Sequence, residues 1–159
     1  MWNIRQAKPE DGERIQCMIY RTIFHIYPKY YPRGAVEFFL NHHSAEKIVA
    51  DIDVNAVFVC ECDGTIAGTV TVIQNEILRL FVLPDCQGRG MGSALLEFAE
   101  QQIGAHYNRV RLEASLTARE MYHKRGYRAV SFARIITENG DFLCYDVMEK
   151  NLRGLRQAV

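Results

Sequence analysis

Gln87-Gly88-Arg89-Gly90-Met91-Gly92-Ser93 is the stretch on which the reading of this chain turns. Before it runs Glu76-Ile77-Leu78-Arg79-Leu80-Phe81-Val82-Leu83, an apolar segment that reads as a strand and that Pro84-Asp85 ends. After it, Met91, Ala94, Leu95 and Phe98 recur at i, i+3, i+4 and i+7, which predicts an amphipathic helix with these four on its inner face. Glycines let a backbone bend where side chains would clash. The first N–H groups of a helix lack carbonyl partners and lie at the positive end of its dipole. A strand, a glycine turn and a helix in this order therefore make a site for a phosphate or pyrophosphate. Arg89 either adds a charged contact or is a solvated loop residue, and turn geometry alone is the other reason to keep glycine here.

Two phosphate-binding patterns fit this turn badly. A P-loop needs Gly-Lys-Ser/Thr after four spacers, and the turn contains no lysine. The dinucleotide fingerprint G-x-G-x-x-G is met at Gly88 and Gly90, but Ser93 holds its third place. Glu113 even lies about 20 residues on, where a ribose-binding acid belongs. Against it, Pro84-Asp85-Cys86-Gln87 separates the strand from the first glycine, and the preceding half of the chain is rich in hairpins rather than βαβ units. A nucleotide-binding oxidoreductase is thus the lesser alternative.

Working outward, residues 2–6 read as a short strand, and Pro9-Glu10-Asp11 opens a helix whose buried face is Ile15, Met18, Ile19 and Thr22. Tyr27-Pro28-Lys29-Tyr30-Tyr31-Pro32-Arg33-Gly34 breaks it, and a second helical stretch in one or two pieces covers about 35–51. Residues 56–60 are a strand, Asp63-Gly64 is a hairpin turn, and alternation over 65–72 predicts a half-buried strand. Beyond the glycine turn and its helix, Arg109–Glu113 is a strand with Val110 and Leu112 inward. A helix over about 116–125 follows, with Thr117 and Glu120 as a capping box and Gly126 as its stop. Strands over about 127–137 and 141–149 flank the turn at Asn139-Gly140. The order is β-α-α-β-β-β-α-β-α-β-β. It predicts an α/β (α+β) fold with a mixed, mostly antiparallel sheet, one domain over 1–159, and residues 151–159 as a loose extension.

Composition narrows the partners. Nineteen basic and nineteen acidic residues cancel, which argues against nucleic acid, because neutralising phosphates needs a basic excess. No apolar run approaches the ~18 residues of a membrane span, and the N-terminus lacks the apolar core of a signal peptide. Cys17, Cys60, Cys62, Cys86 and Cys144 form no C-x-x-C pair or zinc spacing, so no metal is expected, and reduced cysteines place the protein in the cytoplasm. His42-His43 is read as surface helix.

With these elements in place, the chain resembles the GNAT acetyltransferases over nearly its whole length. Their Q-x-x-G-x-G element is met by Gln87, Gly90 and Gly92. Their N-x-x-A-x-x-x-Y-x-x-x-G-F/Y pattern is met at Ala118, Tyr122, Gly126 and Tyr127, with Ser115 in place of the asparagine. The resemblance implies a splayed β-α-β site for acetyl-CoA. The loop Gln87, Gly88, Arg89, Gly90, Met91, Gly92 and Ser93 would wrap the pyrophosphate, and the backbone of Leu80, Phe81 and Val82 would pair with the pantetheine arm beside a β-bulge. Ser115 makes fewer hydrogen bonds than an asparagine would.

The same resemblance implies direct attack of an amine on the thioester in a ternary complex, with N–H groups near Val82 polarising the carbonyl. Tyr122 would protonate the departing thiolate; packing against the sheet is its other reading. A lysine-like amine, with a pKa of ~10.4, must lose a proton before attack. Glu76, eleven residues before Gln87, stands where the histone-acetylating branch carries its base. A solvated carboxylate, a water chain, Tyr145 or Asp146 are the alternatives. Tyr27, Tyr30 and Tyr31 lie in the segment that shapes the acceptor site in the family, or else anchor that loop on the core. The acceptor itself, a small amine, an amino acid or a protein amine, is left open, as is a homodimer. An acyl-CoA-binding sensor without turnover is the second function reading.

Overall fold

The computed structural model describes residues 1–152. Seven strands form one sheet: β1 (Trp2–Gln6), β2 (Val57–Cys62), β3 (Thr65–Ile73), β4 (Glu76–Val82), β5 (Arg109–Ser115), β6 (Arg128–Ile136) and β7 (Phe142–Asn151), in the spatial order β1-β2-β3-β4-β5-β7-β6. The β4–β5 pair is parallel and the others are antiparallel. One parallel pair, crossed by one helix, is not the doubly wound sheet of a dinucleotide-binding fold, so the oxidoreductase alternative falls. Both turn signals act as expected. Asp63 and Gly64 take φ of 49° and 76°, and Gly140 closes the β6–β7 hairpin at φ 85°.

Helices cover both faces of the sheet. α1 (Gly12–Ile26), α2 (Arg33–His42) and α3 (Ala45–Asp53) lie on one side, so the second helical stretch is two pieces, divided where Ser44 caps α3. Ile15, Ile19 and Ile23 of α1 are fully buried there with Ile48 and Val59, each side chain contributing about 1.5–3 kcal/mol. On the other side, α4 (Met91–Gly104) packs Met91, Leu95, Leu96, Ala99 and Ile103 against Val110, Leu112 and Met148. The buried face of α4 is therefore centred on Leu95 and Ala99, and Ala94 and Phe98 lie at its margin, where Phe98 packs edge-on to Phe58. Because both faces are covered, β3 is buried from Ile66 to Thr71 and not half-buried as the alternation suggests.

Three further expectations are corrected. α5 (Arg119–Lys124) has no capping box: Thr117 spends its hydroxyl on Ser115, and Ala118 stands at the N-cap. His43 is buried, not on the surface, because α2 ends there and turns it onto Phe81. At the C-terminus, Asn151 is the last residue of β7 and Leu152 is buried. The remainder of the expected extension lies outside the described residues.

Candidate active site

The glycine turn ends β4 and starts α4. Gly88 and Gly90 adopt φ of 74° and 84°, and Gly90 is the N-cap. A Cβ at either glycine would meet nothing within 4 Å. Glycine is required here by backbone conformation, not by crowding. Ala94 makes the first helical bond, to Gly90 at 3.0 Å. The N–H groups of Met91, Gly92 and Ser93 therefore have no carbonyl partner within α4. They form a donor cluster at the positive end of a fourteen-residue helix, beside the exposed Gly88, Arg89 and Gly90. Gln87 plays a different part: its Nε2 donates to the Val82 carbonyl at 3.0 Å and ties the turn to the end of β4.

β4 and β5 pair only at Glu76–Arg111 and Ile77–Leu112, then separate. The cause lies on the other edge of β4. Thr71 opposes Leu78 and Thr69 opposes Phe81, so β4 spends three steps where β3 spends two. The extra residue lies at Arg79–Leu80, and Arg79 takes φ 47°. Past this bulge Leu83 donates to Ala67 on β3, so by strand alternation the backbone groups of Leu80 and Val82 point toward the widening gap. The bulge expected near Leu80, Phe81 and Val82 is thus present one residue earlier, and it opens a V-shaped cleft above the glycine turn.

Side chains from three elements meet at the open end of the cleft, where β5 ends at Ser115. Tyr122 of α5 is buried with its ring 5.5 Å from that of Tyr127, and burial raises its phenol pKa, with a smaller push from Tyr27. It stays protonated at neutral pH. Ser115 and Thr117 share a hydrogen bond of 2.7 Å. Burial raises the Tyr27 phenol as well, while hydrogen bonding to Ser115 and Thr117 opposes the shift. Tyr31 accepts the Leu116 N–H at 2.7 Å and donates to the Cys144 carbonyl at 3.2 Å. Tyr27 and Tyr31 therefore clamp the β5–α5 connection onto the α1–α2 segment, whereas Tyr30 is exposed.

Glu76 lies at the closed end of the V on the face that α1–α3 cover, 3.5 Å from Arg111 Nε. Arg111 also reaches Glu149 at 3.8 Å. Glu113 is one pleat further along β5, beyond the last β4–β5 rung, and its carboxylate makes no ion pair or hydrogen bond among the described residues. Burial raises its carboxyl pKa, Glu76 adds to the rise, and Arg111 opposes it. Tyr145 shares this face, opposite Ser115, and burial and Glu113 raise its phenol. Asp146 points to the opposite face, where it pairs with Arg119 at 3.1 Å.

Sequence reading missed three of these residues. Arg79 gives no signal, because an arginine rarely takes a left-handed bulge position. Glu113 was placed only in the discarded dinucleotide pattern. Its alternation with Val110, Leu112 and Ala114 could have set it on the cleft face. His43, 5.2 Å from the Phe81 ring, has its pKa lowered to about 3 by burial, with further push from His42, Arg79 and Lys47. Its Nδ1 has no partner among the described residues.

This site and fold are those of an acyl-transferring enzyme, and comparison with known proteins agrees. The family model described as the acetyltransferase (GNAT) domain matches residues 26–145. A GCN5-related N-acetyltransferase from Rhodopseudomonas palustris superposes with a TM-score of 0.86 at 24% identity, covering 94% of each chain. The PaiA N-acetyltransferase from Thermoplasma acidophilum, solved with coenzyme A, gives 0.74 at 23% identity, over 95% of this chain and 99% of that one. The ribosomal-protein-S18-alanine N-acetyltransferase from Escherichia coli gives 0.69 at 18% identity, over 96% and 94%. A search of curated proteins finds no match. The chain belongs to the GNAT acetyltransferase family and is an acyltransferase.

Proposed function

We propose that this enzyme moves the acetyl group of acetyl-CoA to a primary amine by direct attack in a ternary complex. The observation that carries the reading is the parting of β4 from β5 past the Arg79–Leu80 bulge, with the glycine turn and the start of α4 following β4 and the buried Tyr122 following β5. The donor cluster fits a pyrophosphate. Leu80 and Val82 offer backbone partners for an extended arm, and Ser115 with Thr117 offers a hydroxyl pair where the family carries an amide. A coenzyme A complex is known for the PaiA structure, and acetyl-CoA is the cofactor in that of YncA from Salmonella typhimurium.

In this reading the thioester lies at the open end of the cleft, beside Val82 and Tyr122. The Val82 N–H polarises its carbonyl, a neutral amine forms the new C–N bond, and the C–S bond breaks. Tyr122 gives its proton to the departing sulfur. The amine sheds a proton to the Glu76 and Glu113 side of the cleft, where carboxylates outnumber Arg111. That excess of negative charge also suits an acceptor that arrives as an ammonium ion.

Thermal unfolding with acetyl-CoA, NADH and ATP tests the cofactor, since a ligand at 100 times its dissociation constant adds about 2.7 kcal/mol. Stabilisation by acetyl-CoA alone is expected. Stabilisation by NADH alone would sink the proposal. Release of free thiol on adding an amine panel then separates an acetyltransferase from a protein that only holds acyl-CoA.

A further inference from the structure

Tyr122 has little of its own helix to hold it. α5 is six residues long, and the residue it buries is Tyr122. A helix that short is not stable by itself. Where the phenol stands over the cleft therefore depends on what the end of α5 is fastened to.

The fastening is a buried polar cluster outside the cleft. Gly126 turns the chain at φ 88°, and beyond it the Tyr127 N–H donates to the Tyr122 carbonyl at 3.1 Å. The two rings lie 5.5 Å apart at 63°. The Tyr127 hydroxyl donates to Glu100 Oε1 of α4 at 2.9 Å. Lys150 of β7 donates to both oxygens of that carboxylate at 3.0 Å, and its ammonium stands 5.6 Å from the centre of the Tyr127 ring. Burial and the Glu100 carboxylate raise the Tyr127 phenol, so it remains a donor at neutral pH.

Glu100 lies between Leu96 and Ile103 on the buried face of α4, with 7% of its side chain exposed. A buried ion pair gains little stability over apolar residues of the same size, and its best attested use is to fix one arrangement among several. Ring packing alone leaves Tyr127 free to slide. A hydrogen bond to an ionised group is directional and about twice as strong as a neutral one. The same helix begins at the glycine turn. One rigid element thus carries the N–H groups for a pyrophosphate at its start and the support of the phenol further along.

We propose that Glu100, held by Lys150, is a positioning residue for the transfer: through the Tyr127 hydroxyl it sets where α5 places the Tyr122 phenol against the departing sulfur. This rests on the reading of Tyr122 as the proton donor.

Tyr127→Phe keeps the ring and removes the bond; Glu100→Gln keeps the shape and removes the charge. Thiol release in a single turnover is measured with acetyl-CoA and the amine that the wild type uses fastest. Each variant should be slowed about tenfold, since a 1 Å misplacement can cost a hundredfold, with acetyl-CoA affinity within about threefold of wild type. Glu100→Met, Lys150→Met and Tyr127→Phe together strand no polar group. This triple variant should keep the wild-type urea midpoint and still lose the rate. Adding Glu100→Gln to Tyr122→Phe should slow the enzyme no more than about twofold further, because both changes act through one phenol. A second tenfold loss there would overturn the proposal. So would losses of rate that only follow losses of folded protein or of acetyl-CoA affinity. Wild-type rates in Tyr127→Phe and Glu100→Gln beside a slow Tyr122→Phe would overturn the positioning role alone. A fast Tyr122→Phe would overturn the proton-donor reading and this role with it.

Discussion

The Arg79 guanidinium forms an ion pair with the Asp51 carboxylate, joining the bulge of β4 to α3, with 10% and 20% of the two side chains exposed. A left-handed bulge position commonly needs glycine. Here the pair holds an arginine in it, while Arg79 Nε keeps no partner. Arg79→Gly relieves the backbone and leaves Asp51 near solvent, so it should cost about 1 kcal/mol or less. Asp51→Ala strands a buried cation and should cost about 3 kcal/mol. Urea unfolding checks the order through the midpoint at constant m-value. A larger loss for Arg79→Gly would contradict this account of how the cleft is held open.

The glycine turn makes a second prediction. A Cβ at Gly90 has free space, so any penalty there is conformational. Gly90→Ala should destabilise by about 1–2 kcal/mol, the cost of a left-handed alanine. It should weaken coenzyme A binding about tenfold by disturbing the donor cluster. Gly90→Asn, whose residue type tolerates this φ better, should lose less on both measures. Calorimetric titration with coenzyme A decides, and equal losses for the two variants would point to a steric cause instead.

Tyr122→Phe tests the proton donor. The phenol is held protonated by burial, and its ring packing against Tyr127 survives in phenylalanine. Turnover should fall about a hundredfold, within the range for a positioned acid, while acetyl-CoA affinity changes by less than about threefold. Stopped-flow and equilibrium binding separate the two quantities. Unchanged turnover would assign Tyr122 to the core alone.

What the sequence conveyed depended on how local the cause was. The Asp63-Gly64 turn, the α1 face from Ile15 to Thr22 and the start of α4 after Gly90 follow from residues within one turn of each other. The double-sided burial of β3 depends on α4 arriving from 20 residues away, so alternation misjudged it. The same holds in the site. The left-handed turn at Gly90 follows from its glycine-rich motif, but the Arg79 bulge depends on Asp51. The burial of His43 depends on where α2 ends above Phe81. Thr117 was misassigned as a cap because its partner, Ser115, lies on the strand side of the turn.

Glu76 and Glu113 can be told apart by pH. Each carries the proton-acceptor role only while ionised. If Glu76 is the acceptor, Glu76→Gln should lower kcat/KM more than about tenfold and Glu113→Gln should leave most of it. If Glu113 is the acceptor, the losses reverse. Glu76→Gln would then move the acid limb to lower pH, because removing that neighbouring charge lowers the Glu113 carboxyl toward its ordinary range. Profiles superimposable on wild type in both variants would leave the role to neither carboxylate.

His43 predicts an acid-sensitive fold. Its imidazole pKa is lowered from 6.5 to about 3 by burial, reinforced by His42, Arg79 and Lys47. The folded protein therefore holds the neutral ring where the unfolded chain would bind a proton. Between pH 6.5 and about 3 the unfolded state carries more protons, so stability rises with pH in that window. The contribution is fully present above pH 6.5 and is lost as pH falls. His42 beside it, though more exposed, is shifted the same way by desolvation, Lys47 and Arg79 and adds to the slope. His43→Leu keeps an apolar contact to Phe81 and removes the titration. Its melting temperature should lie closer to wild type at pH 5 than at pH 7, and below pH 5 it should exceed wild type. A constant difference between the two proteins from pH 7 to pH 4.5, measured by calorimetry, would show that the buried ring takes up no proton on unfolding.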